Sequence, residues 1–152
     1  MKFRPSNFEV AVSLGGGKSR SAMYQATTRD IRVTVRPQYL PDQSDPAASQ
    51  FVWAYHVRLE NLGDETVQLR ARHWKITDGL GRQQEVKGPG VIGKTPLLRP
   101  GESFEYTSGT PLSTTSGIMS GTYQMVNEAG DRFDIEIPAF SLDTPAAPRS
   151  LN

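Results

Sequence analysis

Eight residues in the middle of the chain, Gly88-Pro89-Gly90-Val91-Ile92-Gly93-Lys94-Thr95, carry the spacing richest in chemistry. Read as G-x-G-x-x-G they match a dinucleotide fingerprint. Read as G-x-x-x-x-G-K-T they match a phosphate loop, with Lys94 on the phosphates and Thr95 on Mg²⁺. Either chemistry needs a strand feeding the loop and a helix leaving it, so that backbone N–H groups and the positive end of the helix dipole converge on phosphate oxygens. Here Pro96-Leu97-Leu98-Arg99-Pro100-Gly101 follows, and Pro100 and Gly101 stop any helix almost at once. The alternating strands and helices of a phosphate-loop enzyme, and its second strand ending in a Mg²⁺-holding Asp, are also missing from the pattern. What the loop does offer is close backbone approach at its glycines and two apolar side chains, Val91 and Ile92. Gly88, Gly90, Val91, Ile92, Gly93 and Lys94 are therefore the candidate partner-binding residues. The competing reading is that Val91 and Ile92 plug one end of the fold.

Other reactive side chains are sparse. His56 and His73 are the two histidines, and a catalytic or zinc site would need them to converge with carboxylates that no motif supplies. Asp42 with Asp45, and Asp131 with Asp134, sit in turns without an EF-hand ligand series and read as solvated acids. Ser113-Thr114-Thr115-Ser116 lacks the G-x-S-x-G elbow of a nucleophile and reads as a polar loop. Arg70, Arg72, Lys75, Arg82 and Lys87 could form a modest basic face for RNA or phosphate, or simply a charged outer sheet surface. The expectation is accordingly no catalytic residue, no metal site and no cofactor.

Composition narrows the partners. The 17 basic and 16 acidic side chains among 152 residues leave a net charge of +1, too little to draw in nucleic acid or anionic lipid through a global field. The chain has no cysteine, which removes disulfides, thiolate metal sites and cysteine nucleophiles and suits a reducing compartment. No apolar run approaches the roughly 20 residues that cross a bilayer. Residues 1–22, with Gly15-Gly16-Gly17-Lys18-Ser19, have the composition of a flexible extension, and 144–152, opening with Thr144-Pro145-Ala146-Ala147-Pro148, that of a mobile tail. Between them lies one domain, 23–143.

The elements that must position the loop have a period of two. Ile31, Val33 and Val35 alternate with polar residues and predict a strand over 31–39. Phe51, Trp53, Tyr55, Val57 and Leu59 predict a central strand. Asn61-Leu62-Gly63-Asp64 is a turn, after which 66–78 is again a strand, but Val67, Leu69 and Ala71 are out of phase with Trp74 and Ile76. A strand changes face only through an extra residue, so a β-bulge is expected near Arg72 and His73, with Ala71 on the core side. Asp78-Gly79-Leu80-Gly81 turns into a polar edge strand over 82–87. Further strands are expected at 102–107, 121–127 and 133–137. Trp53 and Trp74 fall on the buried side, which makes them core residues rather than a stacking platform. About seven strands and no amphipathic helix describe an all-β antiparallel two-sheet sandwich, immunoglobulin or fibronectin type III-like, with an open barrel as the alternative.

Taken in order, Met23-Tyr24-Gln25-Ala26-Thr27-Thr28, Arg72-His73-Trp74-Lys75-Ile76-Thr77-Asp78, Gly88-Pro89-Gly90-Val91-Ile92-Gly93, Pro96-Leu97-Leu98-Arg99-Pro100-Gly101-Glu102, Tyr106-Thr107-Ser108-Gly109, Gly117-Ile118-Met119-Ser120-Gly121-Thr122-Tyr123-Gln124-Met125 and Ile137-Pro138-Ala139-Phe140 resemble successive landmarks of the ApaG family. The resemblance covers about 23–143. It implies a fibronectin type III-like sandwich and a bacterial cytoplasmic protein associated with cobalt resistance and magnesium efflux, with no catalytic residues. Related domains are attached to eukaryotic F-box and polymerase-interacting chains, where they bind protein partners. The combined reading is a non-enzymatic interaction module with a protein partner, nucleotide and nucleic acid not being expected ligands. The alternative is a nucleotide- or phosphate-binding sensor or enzyme that uses Gly88 to Thr95.

Overall fold

The computed structural model describes residues 22–145. The expected N-terminal extension and C-terminal tail fall on 1–21 and 146–152, outside the described residues, apart from Ala22, Thr144 and Pro145. Nine strands run in order: β1 Tyr24–Thr28, β2 Ile31–Tyr39, β3 Phe51–Asn61, β4 Val67–Asp78, β5 Gln83–Pro89, β6 Leu97–Leu98, β7 Ser103–Leu112, β8 Ser116–Asn127 and β9 Arg132–Asp143. Two short 3₁₀ turns, Pro41–Gln43 and Pro46–Ala48, interrupt them, and no α-helix occurs among the described residues. One sheet has the order β1-β2-β3-β7 and the other β5-β4-β8-β9, with β6 on the same edge of β4 as β5. All pairings are antiparallel. The expected two-sheet sandwich is therefore the observed fold.

The alternation read from the sequence becomes the core. Val33, Val35, Tyr55, Val57 and Leu59 of the first sheet and Leu69, Trp74, Met119, Tyr123 and Ile135 of the second are buried against one another. Each fully buried large side chain contributes about 1.5–3 kcal/mol of burial free energy. The aromatic centre is tightly ordered: Trp74 lies edge-on to Tyr55, with centroids 5.1 Å apart, and to Phe140, at 6.0 Å. The buried hydroxyls of Tyr106 and Tyr123 satisfy each other across the two sheets.

One expectation about the path of the chain, the position of the bulge, needs correction, and two features lie beyond what the sequence pattern predicts. The turn after β3 does not fold β4 back beside it; it carries the chain to the opposite sheet. Asn61 anchors this crossing, its buried Nδ2 donating to Glu65 O and Leu98 O while its Oδ1 accepts from Gly63 N. The bulge in β4 lies at Arg70, where the register with β8 steps from Leu69↔Met125 to Ala71↔Gln124. Ala71 thus falls on the outer face and Arg72 joins Trp74 and Ile76 in phase, because the extra residue enters one position before the phase break becomes visible in the sequence. Finally, β1 was not anticipated. Its turn uses Arg29 (φ 49°) and Asp30 (φ 64°), a left-handed pair without the glycine that usually announces such a hairpin.

Candidate functional site

The glycine loop is a detour in the strand that edges β4. β5 pairs with 71–77 of β4 and β6 with 67–68, and 90–96 bridges the two opposite the Arg70 bulge. Gly90 N donates to Arg70 O at 2.8 Å, and Leu69 N donates to Pro96 O at 3.0 Å, so the loop is laced to the irregular part of β4. Val91 N donates to Lys94 O (2.8 Å) and Lys94 N to Val91 O (2.9 Å), closing a tight turn with Ile92 (φ 43°) and Gly93 (φ 78°) at its centre. Positive φ at both central residues is the mirror-image turn normally built from Asn-Gly. Ile92 is β-branched there, a conformation costing on the order of 1–3 kcal/mol. Gly90 is obligatory: its φ is 59°, and a Cβ would stand 2.3 Å from Lys94 O.

This geometry separates the candidate residues. Val91 is buried and packs in the core, Ile92 is half-buried at its margin, and Gly93 and Lys94 are exposed. Val91 is thus an end plug, which leaves Ile92 as the apolar side chain of the pair that reaches the surface. Gly88 lies in β5 opposite Arg72. The nucleotide patterns lack their structural context, since β6 and a turn follow the loop where a helix would be required. The amides of Gly90, Val91 and Lys94 are committed to protein carbonyls rather than converging on an anion.

Beside the loop, the outer face of the second sheet holds an open groove of about 770 Å³. Gly88 and Pro89 form one wall; Arg70, Lys87 and Arg132 provide its charge, Arg72 and His73 also line it, and Asp134 is the one acid among the described lining residues. The Arg72 guanidinium reaches under the loop, Nη1 donating to Pro89 O (3.0 Å) and Gly90 O (3.1 Å), and it fills the space that a side chain at 88 would need. His73 Nε2 lies 2.8 Å from Glu85 Oε1, and this hydrogen bond holds the Glu85 carboxyl below the usual carboxylate range. Of the basic residues singled out in the sequence, Arg70, Arg72 and Lys87 line the groove. Arg82 is engaged with Asp78 at 2.7 Å instead. Arg132 and Gln124 escape sequence reasoning because they come from β9 and β8, which only the sheet order brings beside β4.

His56 and His73 do not converge, for they lie on the outer faces of different sheets. His56 sits between Thr107 Oγ1 (2.8 Å) and Glu105 Oε1 (2.7 Å). No group of three or more His, Cys, Asp or Glu that could hold a metal ion occurs among the described residues, and no helix there is long and apolar enough to cross a membrane. Asp131 Oδ2 accepts from Asn127 Nδ2 at 3.3 Å within its turn.

These features define the class of protein: an antiparallel β-sandwich carrying a stiff glycine loop beside a basic groove. The family follows from comparison. Residues 41–127 match the ApaG domain model, and the chain belongs to the ApaG family. It is 66% identical over 123 residues to Protein ApaG of Rhodospirillum centenum, covering 81% of this chain and 95% of that protein. It is 65% identical over 130 residues to Protein ApaG of Paramagnetospirillum magneticum, covering 86% and 100%. Among solved structures it is similar to a putative ApaA protein from Bordetella pertussis, with a TM-score of 0.75 and 52% identity over 78% of this chain and 96% of that one.

Proposed function

We propose that this chain is a non-enzymatic interaction module whose contact surface is the exposed part of the 88–95 loop together with the adjoining basic groove. The observation that carries this reading is Ile92. A β-branched residue held at φ 43° and half-exposed is a strained placement, and strain of that kind is retained where the conformation itself is used. The loop is preformed, so a partner would pay little to order it. Gly88, Gly90 and Val91 serve by shaping the loop; Ile92, Gly93 and Lys94 make contact. The groove's excess of positive charge favours a protein partner that presents acidic side chains beside an apolar one. The association of ApaG proteins with cobalt resistance and magnesium efflux, and a cytoplasmic location, then enter through that partner, with no ion held by this domain.

The test is differential. Bait carrying the parent sequence, Ile92→Asp or Lys94→Ala is used to capture proteins from lysate, and the captured species are identified by mass. A specific partner should be lost with Ile92→Asp and retained with Lys94→Ala, at unchanged melting temperature for Lys94→Ala. Calorimetry with ATP, GTP and diadenosine nucleotides, with and without Mg²⁺, should give no saturable heat. Micromolar binding abolished by Lys94→Ala would replace this reading with the nucleotide one.

A further inference from the structure

Three cations that make no ion pair among the described residues, Arg70, Lys87 and Arg132, line one concavity of about 770 Å³. They come from three different strands, β4, β5 and β9, and all three are exposed. Asp134 is the one acid among the described lining residues, so the site carries an excess of at least two positive charges. Cations elsewhere on the surface are matched instead: Arg32 with Glu60, Arg58 with Glu105, Arg82 with Asp78 and Arg99 with Glu102. Like charges gathered in a hollow repel one another until an anion enters.

The floor of the hollow suits a tetrahedral anion. Ala71 lies between Pro89 of β5 and Gln124 of β8, and its methyl group leaves depth that a longer side chain would fill. Gln124 and Thr122, the latter opposite His73, also line the groove and bring an amide and a hydroxyl as neutral donors. A carboxylate carries one charge and accepts at two oxygens. A phosphomonoester carries about −1.5 to −2 at pH 7 and accepts at three, which balances the excess in the groove and suits the guanidinium forks of Arg70 and Arg132. Arg72, held under the loop by the Pro89 and Gly90 carbonyls, fixes the wall. We propose that this groove is a receptor for a phosphorylated serine or threonine side chain on a protein partner, with Arg70, Lys87 and Arg132 around the phosphate oxygens and Thr122 and Gln124 beneath them. This assignment rests on the reading of the face as a contact surface and names the group that the face selects, so that association is switched on when the partner is phosphorylated.

The test uses the full chain and immobilised peptide libraries whose central residue is phosphoserine, serine or aspartate, with degenerate flanks. The parent chain should be retained roughly tenfold more by the phosphoserine library than by either of the others. Arg70→Glu and Arg132→Glu should each abolish that preference, and Arg132→Gln, which deletes a charge without reversing it, should reduce it about threefold or more. Arg36→Glu makes the same change of net charge at an exposed position of β2 on the opposite sheet, and should leave the preference intact. Arg132 opens β9, away from the bulge in β4, so Arg132→Gln decides the matter even where Arg70→Glu disturbs the fold. Equal retention on the phosphoserine and aspartate libraries overturns this assignment and leaves the acidic-partner reading standing. Retention by none of the three removes both. A preference that survives Arg132→Glu also overturns it, and so does tighter binding of a short single-stranded oligothymidylate than of the best phosphoserine peptide, read by fluorescence anisotropy, which would give the groove to nucleic acid.

Discussion

The outer faces of the two sheets are both charged but use their charges differently. On the β1-β2-β3-β7 face the charges are matched: Arg32 binds Glu60 through two bonds of 2.9 and 3.1 Å, and Glu105 accepts from Arg58 at 2.7 Å while also engaging His56. On the β5-β4-β8-β9 face Arg70, Lys87 and Arg132 make no ion pair among the described residues, and the surface sinks into a groove beside the glycine loop. Antiparallel register explains the first pattern, since Arg32 lies directly opposite Glu60 and Arg58 opposite Glu105. On the second face the register sets no acid opposite these cations: Lys87 lies opposite His73 and Arg132 opposite Val126, while Arg70 sits in the bulge with no partner on β8. The lesson is that strand register decides which charges are neutralised within a face and which stay available to a partner.

The sharpest way to break this comparison is to attack the loop's foundation. Val91→Asp places an unpaired carboxylate in the core, at a cost of several kcal/mol, and the melting temperature should fall by roughly 10 °C or more. A melting curve unchanged by this substitution would mean that Val91 does not plug the sandwich. The next effect has the opposite sign. Ile92→Asn puts a residue suited to positive φ into the turn, and should raise stability by about 1 kcal/mol, read as a shift of the denaturant midpoint, while partner capture declines. Gain of stability with loss of contact would identify the strain as functional.

Acid should dissolve the matched face within a narrow window. Hydrogen bonding from Arg32 holds the Glu60 carboxyl below its ordinary value, and hydrogen bonding from His56 does the same for Glu105. A carboxylate whose pKa is lowered on folding stabilises the fold above its unfolded value of about 4.3, and that contribution disappears as the pH falls through the lowered folded value. Denaturation titrations should therefore be flat from pH 7 to about 5 and lose stability below it. Glu60→Gln should remove part of the slope, at a cost at pH 7 of no more than about 1 kcal/mol for so superficial a pair. The smallest effect belongs to the other face. Lys87→Glu with Arg132→Glu should change stability by no more than about 0.5 kcal/mol per site, yet slow partner association and reverse its dependence on salt. A large stability loss would show these charges to be structural after all.

How much was legible can be judged strand by strand. β2, β3 and the Asp78–Gly81 hairpin follow from alternation and turn chemistry, and the buried placement of Trp53 and Trp74 follows with them. β1 escaped because Arg29-Asp30 carries no turn signature, and β6 because two residues are too few to show a period. The bulge was legible as a phase break but not to the residue, since Ala71 suits either face. At the loop, the missing helix was visible in Pro100 and Gly101. The burial of Val91 beside the half-exposure of Ile92 was not, because adjacent residues in a loop have no periodicity to sort them.

By itself, then, the sequence determined the local conformations: which stretches extend, where they turn, and which side chains share a face, all consequences of sterics and period-two geometry within a few residues. Tertiary structure decided what those stretches meet. The crossing at Asn61 sends β4 to the opposite sheet, and the sheet order sets Arg132 of β9 and Gln124 of β8 beside Arg70 and Lys87. It also brings Trp53 of β3 to the same concavity as Pro145, 92 residues later in the chain. Such meetings arise from burying two apolar faces against each other at once, and no window of neighbouring residues contains that requirement.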